Sequence, residues 1–183
     1  MAIVGRLEAL ARLREGQERM DALLARLKGK ELTRPATIGS GDWSAKDLIG
    51  HIATWEELAV GSIRAFESHR TPWPERKGGV FSAATSGKIS AFNARTVGQK
   101  RGLSLREVKA AARRTHQELL SSIESLSDED WKAKAFYPTP NNRRRTLAAL
   151  LGAVLAANTG PFCHNLDHLP DLEAYVRSSR KSR

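Results

Sequence analysis

The chain has 183 residues, 40% of them hydrophobic, with 30 Lys and Arg against 20 Asp and Glu, a formal net charge of +10, and one cysteine. A single Cys163 excludes an internal disulfide framework, and no group of cysteines and histidines has zinc-finger spacing. The longest apolar run, Leu147 to Ala157, is well short of the roughly 20 residues that span a bilayer, and the amino end becomes charged before a signal-peptide core can form. These features predict one cytoplasmic domain over residues 1–175, with no membrane span, followed by a basic, flexible tail at 176–183.

The first helix is expected from Arg6 to Leu27, where Leu13, Met20, Leu23, Leu24 and Leu27 recur at helical spacing, with Gly29 and Pro35 ending it. Ser44 followed three residues later by Asp47 makes a capping box, and Leu48, Ile52, Trp55, Leu58, Ile63 and Phe66 then form an apolar face. The second helix is therefore placed from Ser44 to Glu67. Trp43, just before the cap, suits a hydrophobic staple.

Residues 69–102 are too long for a plain loop and contain Pro72, Pro74, Gly78, Gly79 and Gly87, so a structured crossover is expected. Ile89, Phe92 and Val97 are spaced like a short extra helix around Asn93. A second capping box, Ser104 with Glu107, opens a third helix in which Leu105, Val108, Ala112, Thr115, Leu119, Ile123 and Leu126 keep the 3-4-3-4 spacing.

A polar connection holding Pro138 and Pro140 leads to a fourth, almost wholly apolar helix from Thr146, expected to reach past His164 toward His168 with a kink or break at Gly160–Pro161. Four long helices and no alternating strand pattern give an all-α bundle. The long connection between helices two and three makes those two parallel, which is an up-down-down-up topology.

His164 and His168 are four residues apart, so on one helix they share a face and can bind one metal. Alone, an HxxxH pair is more often two ordinary polar residues near a helix end. His51 adds weight, because in the crossover topology the start of helix two meets the end of helix four. In an up-down-up-down bundle His51 and His168 would be ~25 Å apart at a rise of 1.5 Å per residue.

Three imidazoles suit Zn²⁺, Ni²⁺, Fe²⁺ or Mn²⁺ and leave a coordination position open for water or substrate. Glu56 and Asp167 are candidate bases or partners of such a water, although either can equally be a solvated acid. Trp55, four residues after His51, can wall a pocket or pack in the core. Cys163 is read as a small residue packed in a helix. His69 and His116 lack helical partners of ligand type.

The positive charge gathers at Arg143, Arg144 and Arg145 and in the acid-free stretch from Arg177 to Arg183. Such a surface attracts anions, nucleic acid among them, but no base-reading motif accompanies it, and a solvated loop and tail is the plainer reading. The apolar fourth helix also offers a face for a homodimer.

The segments DWSAKDLIGHIATWEE, FNARTVGQ, SLREVKAAARRTHQELLSSIESLSDEDW and HNLDHLPDL together resemble the ClbS/DfsB family of the DinB-like superfamily, over nearly the whole chain from Arg6 to Leu172. The resemblance implies a DinB-like four-helix bundle of up-down-down-up topology, with a metal held by His51, His164 and His168 and with Trp55, Phe92 and Asn93 near the pocket. It implies action on, or protection against, an electrophilic small molecule. The superfamily includes thiol-dependent transferases and isomerases, and the ClbS branch hydrolyses an electrophilic cyclopropane in colibactin. A non-catalytic protein that sequesters a small ligand is the alternative. This sequence departs from the family at Gly160–Cys163, which separates Asn158–Thr159 from His164.

Overall fold

The computed structural model describes residues 4–39, 41–76, 79–81, 86–137 and 144–181. Gly78, Pro138, Pro140, Arg143 and Arg183, which figure in the sequence reading, lie outside the described residues. Among those described, the named elements are all helices: α1 (Arg6–Leu24), α2 (Gly29–Leu32), α3 (Ala45–Glu67), α4 (Ser86–Lys100), α5 (Leu105–Ser125), α6 (Asp128–Lys132), α7 (Leu147–Val154), α8 (His164–Asp167) and α9 (Leu169–Lys181). A 3₁₀ turn at Trp73–Glu75 precedes α4.

The capping boxes set the phase of the two central helices. The Ser44 hydroxyl accepts from the Asp47 backbone N–H at 3.1 Å, while Asp47 Oδ2 accepts from the Ser44 N–H at 2.9 Å. Each bond satisfies a donor that the first helical turn leaves unpaired. Ser104 and Glu107 repeat the arrangement at the start of α5. From these starts α3 buries residues on most sides, including Leu48, Ile52, Trp55, Ala59 and Ile63, whereas α5 buries the stripe Val108, His116, Leu119 and Ile123.

Contacts between α3 and α5 climb both helices in the same direction. Gly50 lies beside Val108, Glu56 bonds His116, and Arg64 pairs with Glu118. The two helices are therefore parallel. Helix α1 runs against α5, since Arg6 pairs with Asp128 and Arg14 with Glu124. It runs with the carboxyl-terminal helices, because Arg12 meets Pro161, Gly16 meets Asn165, and the Glu31 carbonyl accepts from Tyr175. This is the up-down-down-up order, with α4 as the helix inside the crossover.

The fourth leg breaks, as expected near Gly160–Pro161, but the helix stops earlier than that pair. It starts as predicted, with the Thr146 hydroxyl capping Ala149 N–H at 3.1 Å, but ends at Val154 after eight residues. Pro161 lacks an N–H and disfavours helical backbone at the residue before it. Ala157 and Gly160 instead exchange two backbone hydrogen bonds of 3.0 Å, and Gly160 and Phe162 take φ values of 130° and 61°. The returning loop sits tightly on α7: a Cβ at Gly152 would lie 3.1 Å from Pro161 Cβ. Phe162 is then buried and stacks on Trp131 at 5.8 Å between ring centres. Burying a side chain of that size contributes about 1.5–3 kcal/mol, which offsets the backbone irregularity needed to deliver it.

After the break the chain resumes as α8 and α9. Helix α9 runs to Lys181 and buries Val176 and Ser179, so the stretch set apart as a flexible tail from residue 176 is helical and packed as far as it is described.

Candidate metal centre

His51 lies two turns into α3, and its phase is set by the Ser44 cap. His164 opens α8, and His168 closes it with a right-handed helical conformation. The i, i+4 spacing is thus kept on a helix of one turn, and the break at Leu155–Cys163 leaves the pair facing α3. The Nε2 atoms of His51 and His164 are 3.1 Å apart, those of His164 and His168 are 3.4 Å apart, and the three ligand atoms all lie within 4.8 Å of one another.

The separations of 3.1 and 3.4 Å suit a metal. Zinc–imidazole bonds of about 2.0–2.1 Å place tetrahedral ligand nitrogens roughly 3.3–3.4 Å apart. Burial disfavours the charged imidazoles and pushes His51 down to about 2 and His164 down to about 3, with the neighbouring histidines adding to the effect. His168 is also lowered by burial, against the pull of Asp171 and Asp167. All three rings are therefore neutral and have lone pairs to donate at physiological pH. Among the described residues the buried Nδ1 atoms of His51 and His164 have no hydrogen-bond partner of the kind that commonly orients metal-bound histidines. Packing orients them instead. The Trp43 ring lies 4.8 Å from His51, and the Trp55 ring lies 5.7 Å from His164.

Of the expected pocket residues, Trp55 lies beside the histidines, while Asn93 and Phe92 contact Trp55. Trp55 Nε1 donates to Asn93 Oδ1 at 3.1 Å, and the Phe92 ring meets Trp55 edge-on at 5.6 Å. The aromatic row continues to Trp73, 5.5 Å from Phe92 and partly exposed.

The two carboxylates take other positions. Asp167 accepts from Asn158 N–H at 2.8 Å and from the Thr159 hydroxyl at 3.1 Å, clamping the 157–160 turn to α8. Glu56 lies five residues and about 140° around α3 from His51, where its Oε1 accepts from His116 Nδ1 at 2.7 Å. His116, set aside in the sequence for want of a helical partner, is buried through this pair across two helices. Its place on the stripe with Ala112, Leu119 and Ile123 was the signal that it faces inward. Cys163 is buried as expected, but it precedes α8 rather than lying in a helix, with Arg12 Nη1 3.8 Å from its sulfur.

Residues 12–156 match the model of the DinB superfamily. The chain belongs to the DinB superfamily. No curated protein matches the sequence. Among solved structures, an uncharacterised protein from Escherichia coli UTI89 is similar with a TM-score of 0.74 at 12% identity, over 97% of this chain and 95% of that one. The mycothiol-dependent maleylpyruvate isomerase aligns with a TM-score of 0.64 at 15% identity, over 94% of this chain and 63% of its own. The colibactin self-resistance protein ClbS, solved in complex with a double-stranded DNA, aligns with a TM-score of 0.64 at 12% identity, over 99% and 96%. These likenesses establish a shared DinB-like fold. No helix among the described residues is long and apolar enough to cross a membrane.

Proposed function

We propose that this DinB protein binds one divalent transition ion through His51, His164 and His168 and acts on an electrophilic small molecule, as a hydrolase or thiol transferase. The observation that carries the reading is the convergence of three neutral imidazole nitrogens within 4.8 Å, drawn from helices distant in sequence. Such an ion, with a fourth position open, supplies a water or thiol acidified toward neutrality. The protein's own part is to hold that position beside an apolar wall. Trp55, fixed by Asn93, and Phe92 exclude water on one side and offer aromatic faces to a substrate. Neither Glu56 nor Asp167 is needed as a base in this scheme, since each carboxylate is engaged elsewhere.

The test is turnover of an electrophilic model substrate by protein loaded in turn with Zn²⁺, Ni²⁺, Fe²⁺ and Mn²⁺, with and without a low-molecular-weight thiol. Turnover that follows metal content and is lost in His168→Ala supports the proposal. Tight binding without product, unchanged by chelator, would favour a sequestering protein instead. A second reading, association with nucleic acid, is supported by the net charge of +10 and by the duplex bound to ClbS. Its mark is an affinity that falls steeply with salt.

A further inference from the structure

A separate feature lies on the other side of α3 from the histidines. A groove of about 280 Å³ opens between α1 and α5, with Glu56 of α3 among its lining residues. Its walls are largely aliphatic, from Met20, Leu24, Ile52 and Ala112, and polar side chains line it as well, Gln17 and Asp21 from α1 and the cations Lys109 and Arg113 from α5. Glu56 is only 2% exposed, and among the described residues its carboxylate makes one hydrogen bond, from His116 to Oε1. Oε2 has no such partner and belongs to a side chain that faces the groove. A buried carboxylate with a free acceptor disfavours an anion at that end and calls for a charged donor.

We infer that this groove is a second ligand site, distinct from the histidine cluster, for a small aliphatic zwitterion. Its ammonium end hydrogen-bonds Glu56, and its carboxylate end pairs with Lys109 and Arg113. His116 holds the acceptor in place, acting as a positioning residue. The size of the groove bounds the ligand: about 280 Å³ admits a chain of about six carbons between the two charges, and the aliphatic walls match its methylenes. Nothing in this assignment uses the metal, so it stands or falls independently of the function proposed above.

The test is titration of the full chain with 6-aminohexanoate, hexanoate and hexylamine, followed by methyl NMR at Met20, Leu24, Ile52 and Ala112. The expected result is saturable binding of 6-aminohexanoate, at least tenfold tighter than either one-ended analogue, and weakened at least tenfold by Glu56→Gln. Ala112→Phe, which fills the groove beside the buried pair, is expected to abolish binding while leaving bound metal at the wild-type ratio. The absence of a saturable shift would overturn the inference. So would binding that persists in Ala112→Phe, or hexylamine or hexanoate binding as tightly as the zwitterion.

Discussion

His51 and His164 stand 113 residues apart in the chain, yet their Nε2 atoms lie 3.1 Å apart. Two imidazole nitrogens that close, both buried and both neutral, are positioned by the packing of α8 against α3 and α1, and the residues in that packing control the geometry of the site.

One such residue is Gly16 on α1. A Cβ there would lie 2.9 Å from Asn165 Cβ, beside His164, closer than side-chain atoms tolerate. Gly16→Ala is expected to push α8 outward, costing about 1–3 kcal/mol in stability and weakening metal binding on the order of tenfold, since a small displacement of one donor spoils the coordination. Circular dichroism and chelator competition check this, and an unchanged metal affinity would contradict it.

Asp167 acts by a different route. Its carboxylate ties Asn158 and Thr159 to α8, with two hydrogen bonds to a charged acceptor. Asp167→Ala is expected to lower stability by about 1–3 kcal/mol and to weaken metal binding by freeing the 157–160 turn. If its role were that of a base, the variant would instead lose turnover at full metal content and unchanged Tm.

The depressed histidines give the metal-free protein a defined pH response. Above about 6.5 both folded and unfolded chains carry neutral imidazoles, so these groups contribute no pH dependence. Below it the unfolded chain takes up protons that His51, held down to about 2, and His164, held down to about 3, refuse in the fold. Stability therefore falls with pH by up to about 1.4 kcal/mol per unit for each such histidine. Thermal unfolding in chelator should show Tm dropping from pH 6.5 to 5, with a shallower slope in His51→Asn. Equal slopes would contradict the assignment of that proton uptake to His51.

Much of this was legible in the sequence because it is local or follows from topology. The Ser44–Asp47 and Ser104–Glu107 boxes fix helix starts within four residues of chain, and the long crossover dictates parallel α3 and α5, which brings His51 to the His164–His168 pair. The break after Val154 was only partly legible. Pro161 announces an interruption, but the tight seat of the loop on Gly152 and the positive φ of Phe162 depend on a tertiary fit with α7 and Trp131. The Glu56–His116 pair was hidden for the same reason, since it joins residues 60 apart on two helices. The carboxyl-terminal residues read as a tail because basic composition masks the buried positions of Val176 and Ser179.

The central claim is that three histidines form one metal site, and elemental analysis of untagged protein tests it most directly, alongside His51→Ala and His168→Ala variants whose folding is checked by circular dichroism. The account predicts about one transition-metal ion per chain in the wild type, lost from both variants while their helical signal is kept. No bound metal after incubation with zinc, nickel, iron and manganese, or full occupancy in either variant, would contradict it.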